Sequence, residues 1–153
     1  MRKGKLILSA KPGSSGALLA FKTLSNNYQA NVTILKSTAS AGIALVGDDK
    51  NMVRLIISEK GLSVSKLEND NETILAQQTV PGWQKMHLRM DVNNGKEISF
   101  AYSTDGSAFL NLDTKAIDGY FLPPWDRAVR IGLIAQGDPS RQAVFESFVL
   151  KNR

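Results

Sequence analysis

An all-β sandwich of two antiparallel sheets is the fold that the sequence predicts, and three observations carry the prediction. Apolar and polar residues alternate along most of the chain, the mark of strands with one face in a core and the other in water. Clusters of Gly, Asn and Asp interrupt the alternation at intervals of roughly 8 to 12 residues, the spacing of hairpin-linked strands. No interval shows a sustained helical period, so the crossover helices that a parallel sheet requires are missing.

In chain order, residues 5–9 and 18–23 are short candidate strands, followed by longer ones at 28–35, 42–46, 52–58, 61–67 and 73–80. The alternation is cleanest at 84–92, where Met86, Leu88, Met90 and Val92 share one face and Lys85, His87, Arg89 and Asp91 the other. Residues 97–103, 129–135 and 144–150 complete the set. The turns between them are Gly47-Asp48-Asp49-Lys50-Asn51, Glu59-Lys60-Gly61, Asn69-Asp70-Asn71, Asn93-Asn94-Gly95 and Thr104-Asp105-Gly106. All supply residues that tolerate positive φ or hydrogen-bond their own backbone. In the last, Asp-Gly between two apolar runs predicts a hairpin in which the aspartate caps the turn and the glycine is left-handed.

At 153 residues the chain is read as a single β-sandwich domain over 1–153, a fragment of a larger protein, with size enough to bury its own core. No apolar run approaches the roughly 20 residues of a membrane span, and Leu6-Ile7-Leu8 is too short for the core of a signal peptide. No membrane partner is therefore expected. Cysteine is absent, which excludes disulfides and thiolate zinc sites. The net charge of +5 is N-terminal in origin: residues 1–47 hold six of the 19 Lys and Arg and no acid. Those six stand singly, at Arg2, Lys3, Lys5, Lys11, Lys22 and Lys36, whereas nucleic-acid binders gather them on one face. Nucleic acid is not an expected partner.

Catalytic chemistry has one candidate set, Glu68, Asp70 and Glu72. On a strand, alternate carboxylates share a face about 7 Å apart, near the roughly 5 to 5.5 Å of a retaining glycosidase pair. The intervening Asn69 and Asn71 are turn residues, which favours a solvated hairpin. His87 is the only histidine and has no nucleophile motif beside it, so it reads as surface. The remaining metal option is calcium, with Asp48, Asp49 and Asp138 as oxygen donors; no other cofactor is expected. Two tryptophans stand at strand starts, Trp83 after Pro81-Gly82 and Trp125 after Pro123-Pro124. An indole there either stacks on a sugar ring or closes the sandwich end.

Several blocks together resemble a known family: Ala41-Gly42-Ile43-Ala44-Leu45-Val46-Gly47-Asp48, Asn51-Met52-Val53-Arg54-Leu55, Phe100-Ala101-Tyr102-Ser103-Thr104-Asp105-Gly106, Val129-Arg130-Ile131-Gly132-Leu133, and Phe145-Glu146-Ser147-Phe148. In order and spacing they are similar to the concanavalin A-like sandwich attached to family-43 glycoside hydrolases, the β-xylosidases and arabinofuranosidases. The resemblance implies a jelly roll of two curved antiparallel sheets, a non-catalytic companion of a propeller that performs hydrolysis, in a secreted or periplasmic bacterial enzyme. The implied partners are carbohydrate or the neighbouring catalytic domain. Binding would use Trp125, Tyr120 or Trp83 for stacking, with Asp126 and Arg127 as polar support. Two alternatives stand beside this reading: a small jelly-roll hydrolase or lyase using Glu68, Asp70 and Glu72, and a purely structural interaction module.

Overall fold

The computed structural model describes residues 4–23, 25–112, 115–122 and 129–153. Among them the chain forms only strands: β1 (Leu6–Ser9), β2 (Ala17–Phe21), β3 (Tyr28–Leu35), β4 (Ser40–Asp48), β5 (Asn51–Ser58), β6 (Gly61–Glu68) and β7 (Asn71–Gln78). There follow β8 (Lys85–Asn93), β9 (Glu97–Ser103), β10 (Leu110–Asn111), β11 (Ile117–Asp118), β12 (Arg130–Gln136) and β13 (Gln142–Asn152). The expected strands are all present, most within two residues of their expected ends. Two were not anticipated, β10 and β11, each two residues long. No described helix is long and apolar enough to cross a membrane.

The strands make two antiparallel sheets. One is seven-stranded, ordered β1-β13-β3-β8-β9-β10 with β11 also on β9; the other is six-stranded, ordered β2-β12-β4-β5-β6-β7. Register puts the apolar positions on the same inner face. Leu88, Met90 and Val92 lie opposite Tyr102, Phe100 and Ile98, while Val53, Leu55 and Ile57 of the other sheet join the same core. Tyr28 is carried into this interior, and burial pushes its phenol up to about 12, partly opposed by a hydrogen bond with Thr23.

A second, smaller apolar cluster lies on the other face of the six-stranded sheet, formed by Ala44, Val46, Met52, Ile56, Leu67 and Ile134. The segment around Ser14 lies over that face. Its carbonyl accepts from Gln136 Nε2 at 2.8 Å and from Arg54 Nη1, and its hydroxyl donates to Asp70 Oδ1 at 2.6 Å. Arg54, only 1 % exposed, is consequently a buried cation. Its Nε donates to Ser65 Oγ at 2.9 Å and its Nη2 lies 2.9 Å from Glu72 Oε1.

The turn after β9 forms as expected. Gly106 has φ 84°, and Asp105 Oδ1 accepts from the backbone N–H groups of Ser107 and Ala108 at 2.8 and 3.0 Å. These two bonds, with that from Ser103, hold the Asp105 carboxyl well below the usual carboxylate range. A lowered native value stabilises the fold above the ordinary aspartate range, and the benefit is lost as pH falls. Replacing Asp105 with alanine is therefore expected to lower the melting temperature at neutral pH. The difference from the parent chain should narrow as pH falls below about 4. Melts recorded across pH check this, and a gap independent of pH would show that the turn does not need the charge.

Candidate functional site

The three acids are separated by the hairpin that holds them. Asn69 and Asp70 have φ of 50° and 66°, the left-handed pair of a type I′ turn, and β6 and β7 pair on either side of it. Register sets Leu67 opposite Glu72 and Glu68 opposite Asn71, so Glu68 and Glu72 project from opposite faces of the ribbon. Each acid also has its own local partner: Glu68 pairs with Lys66 at 2.9 Å, Asp70 accepts from Ser14, and Glu72 pairs with buried Arg54. The hydrolase or lyase built on Glu68, Asp70 and Glu72 is corrected by this arrangement, because no substrate bond can lie between them.

Asp48 and Asp138 are turn caps. Asp48 accepts from Lys50 N and Asn51 Nδ2, and Asp138 from the backbone and hydroxyl of Ser140. Among the described residues no three His, Cys, Asp or Glu side chains come together as a metal site, so Asp48, Asp49 and Asp138 do not assemble the calcium ligands considered above. His87 lies on the outer face of the seven-stranded sheet, its Nδ1 3.0 Å from Thr33 Oγ1. Beside it runs a polar ladder that joins Asn31, Gln29 and Asp91, while the Arg89 guanidinium sits 4.5 Å over the Phe109 ring.

Of the five binding candidates, Tyr120 and Trp83 are described; Trp125, Asp126 and Arg127 lie outside the described residues. Tyr120 is 78 % exposed. Its N–H donates to Asp118 Oδ1 at 2.9 Å and Lys96 Nζ stands 5.5 Å from its ring centre. Trp83 is different, at 8 % exposure, with its indole N–H donating to Ser58 O at 3.2 Å. The two rings do not share a site. Trp83 precedes the start of β8 and Tyr120 neighbours Lys96 beyond its end, a separation of roughly 30 Å at about 3.3 Å per residue.

Trp83 forms a wall of a cavity of about 200 Å³ at its end of the sandwich, lined also by Lys36, Ser37, Thr38, Ser58, Glu59, Lys60 and Arg141. A trough of about 350 Å³ shares Ser58 and Lys60 with it and continues along Ser63, Gln77, Gln78 and Thr79. The cavity wall is held by three hydrogen bonds from backbone N–H groups: Lys36 N donates to Gln84 O, Ala39 N to Gln142 O, and Gln142 N to Thr38 Oγ1. The site is not legible in the sequence because four separate segments build it. Only Trp83 had stood out.

The comparisons with known proteins agree with the fold. The family model of the β-xylosidase C-terminal concanavalin A-like domain matches residues 8–151. Among solved structures, the family-43 glycoside hydrolase BlXynB of Bacillus licheniformis superposes with a TM-score of 0.83 at 17% identity, covering 99% of this chain and 34% of that one. Xylan β-1,4-xylosidase of Bacillus halodurans does so at 0.81 and 18%, covering 99% and 33%. The carbohydrate-binding module CBM66 of Bacillus subtilis, at 14% identity and a TM-score of 0.60, is matched over 97% of this chain and 96% of its own. Among curated proteins none matches the sequence. This chain spans about a third of the length of the xylosidases it resembles. By its family match along nearly its whole length, it belongs to the family of β-xylosidase C-terminal concanavalin A-like domains.

Proposed function

We propose that this chain is the non-catalytic accessory domain of a larger, exported glycoside hydrolase and that it holds glycan beside the catalytic domain. The observation that carries the binding role is the cavity at Trp83 opening into a trough of amides and hydroxyls, Ser63, Gln77, Gln78 and Thr79. A saccharide is recognised through such groups, with an aromatic wall beside its apolar C–H faces. Tyr120, at the far end of the sandwich in the segment that leads to Trp125, Asp126 and Arg127, offers a second contact point for glycan or for the catalytic domain. The xylosidase relatives suggest xylan-type chains as the first to test.

Calorimetric titration of the chain with xylo- and arabino-oligosaccharides should give saturable binding in the millimolar range or tighter, weakened by Gln78→Ala. Absence of heat at millimolar sugar would remove the binding role. Docking would then be the favoured role, and β7 carries a feature suited to it. That strand ends its sheet, and a bulge within it leaves both Ile74 and Leu75 exposed, an apolar edge of the kind that partner domains cover.

A further inference from the structure

The cavity beside Trp83 has an electrostatic character that a neutral sugar does not need. Lys36, Lys60 and Arg141 line it against one acid, Glu59. None of the three cations has a carboxylate within ion-pair distance among the described residues. Five other described cations are paired, Arg54 with Glu72, Lys66 with Glu68, Lys85 with Glu146, and Arg89 and Arg153 with Asp91, and the rest, such as Lys5, Lys11 and Lys151, stand without an ion-pair partner among the described residues. What distinguishes Lys36, Lys60 and Arg141 is that all three line one cavity. Lys36 Nζ stands 5.9 Å from the Trp83 ring centre, a cation held over an aromatic face. Arg141 Nη1 donates to the carbonyl of Thr38 at 3.5 Å, and its charge acts on the Asp138 carboxylate from beyond ion-pair distance, leaving most of its donor fork unused. Ser37 Oγ is buried in the wall without a hydrogen-bond partner among the described residues.

Unpaired cations and an aromatic wall around a concavity form a receptor for an anion that also carries apolar and hydroxyl surface. The volume of about 200 Å³ falls below the roughly 300 to 1,000 Å³ of drug-sized clefts, so it suits one ring. We infer that this cavity binds the carboxylate of a uronic acid unit, with the attached neutral sugars lying along the Gln77–Gln78 trough. Arg141 supplies the bidentate fork and Lys60 at the junction supplies the second charge. This rests on the glycan-binding reading above and adds to it the chemistry of the ligand.

The test is calorimetric titration with xylotetraose and with the same backbone bearing a single glucuronic acid, in low and in high salt. The acidic oligosaccharide should bind at least about tenfold tighter in low salt, with the advantage shrinking as salt screens the exposed charges. Arg141→Gln and Lys60→Gln, both at exposed positions, should erase the preference, so that the acidic oligosaccharide binds no tighter than xylotetraose. Equal affinity for the two sugars would overturn the uronic acid assignment and leave glycan binding standing. Binding of neither would overturn both. Inorganic sulfate displacing the acidic sugar at a concentration equal to that of free glucuronate would also overturn it, since the cavity would then recognise a bare anion.

Discussion

Replacing Arg54 with alanine is expected to destabilise the fold by about 3 to 5 kcal/mol, the cost of removing one partner from a buried ionic network. The guanidinium is 1 % exposed and all three of its nitrogens are engaged, by Ser65, by the Ser14 carbonyl and by Glu72. Truncation therefore strands the Ser65 hydroxyl, frees the segment around Ser14, and opens a void against Met52 and Ile56. Glu72 is 42 % exposed, so water screens it and Glu72→Gln should cost much less. Arg54→Met keeps the volume without the charge and should fall between the two. Urea melts measure the series, with urea preferred to guanidinium because it leaves charge pairs unscreened. A loss under about 1 kcal/mol for Arg54→Ala would mean that the side chain is solvated and the network is not real.

Trp83→Ala comes next, with an expected loss of about 3 to 5 kcal/mol, the range of buried aromatic truncations. The ring belongs to the main core cluster and its N–H is spent on Ser58 O. In a domain of this size each kcal/mol moves the melting temperature by about 2 to 4 °C, so the variant should melt roughly 6 to 20 °C lower. Trp83→Phe keeps most of the packing and loses one hydrogen bond, a cost of about 1 kcal/mol from the bond itself. Thermal melts of both variants separate core packing from exposed stacking. An alanine variant melting within about 2 °C of the parent would contradict the buried placement.

The strands were legible because a half-buried strand writes its two faces into alternate residues, as β8 does from Met86 to Val92. Two-residue β10 and β11 are too short to carry a period. They exist because β9 offers them an edge, and nothing in Leu110-Asn111 or Ile117-Asp118 announces it. Arg54 was hidden for another reason. Alternation puts it on the solvent face of β5, and only the segment around Ser14, forty residues earlier in the chain, makes that face an interior. The Asn residues flanking Asp70 did announce their turn, which is why the carboxylates could be read as a hairpin. The cavity was invisible as a site: Lys36 counted as one of six scattered cations, and only folding sets it beside Lys60 and Arg141.

The last two strands lie inside the sheets and not at their edges: β12 lies between β2 and β4, and β13 between β1 and β3. Neither sheet can therefore zip up in the order in which the chain is made. A ribosome-bound chain that lacks residues 130–152 has four strands with an empty neighbour position and apolar side chains such as Ile34 and Ile43 without cover. Pairing across so much intervening chain closes large loops before it gains contacts, which makes such topologies slow to fold and prone to association while they wait. The last strands to be synthesised thus decide when this domain becomes safe from its own hydrophobic surfaces.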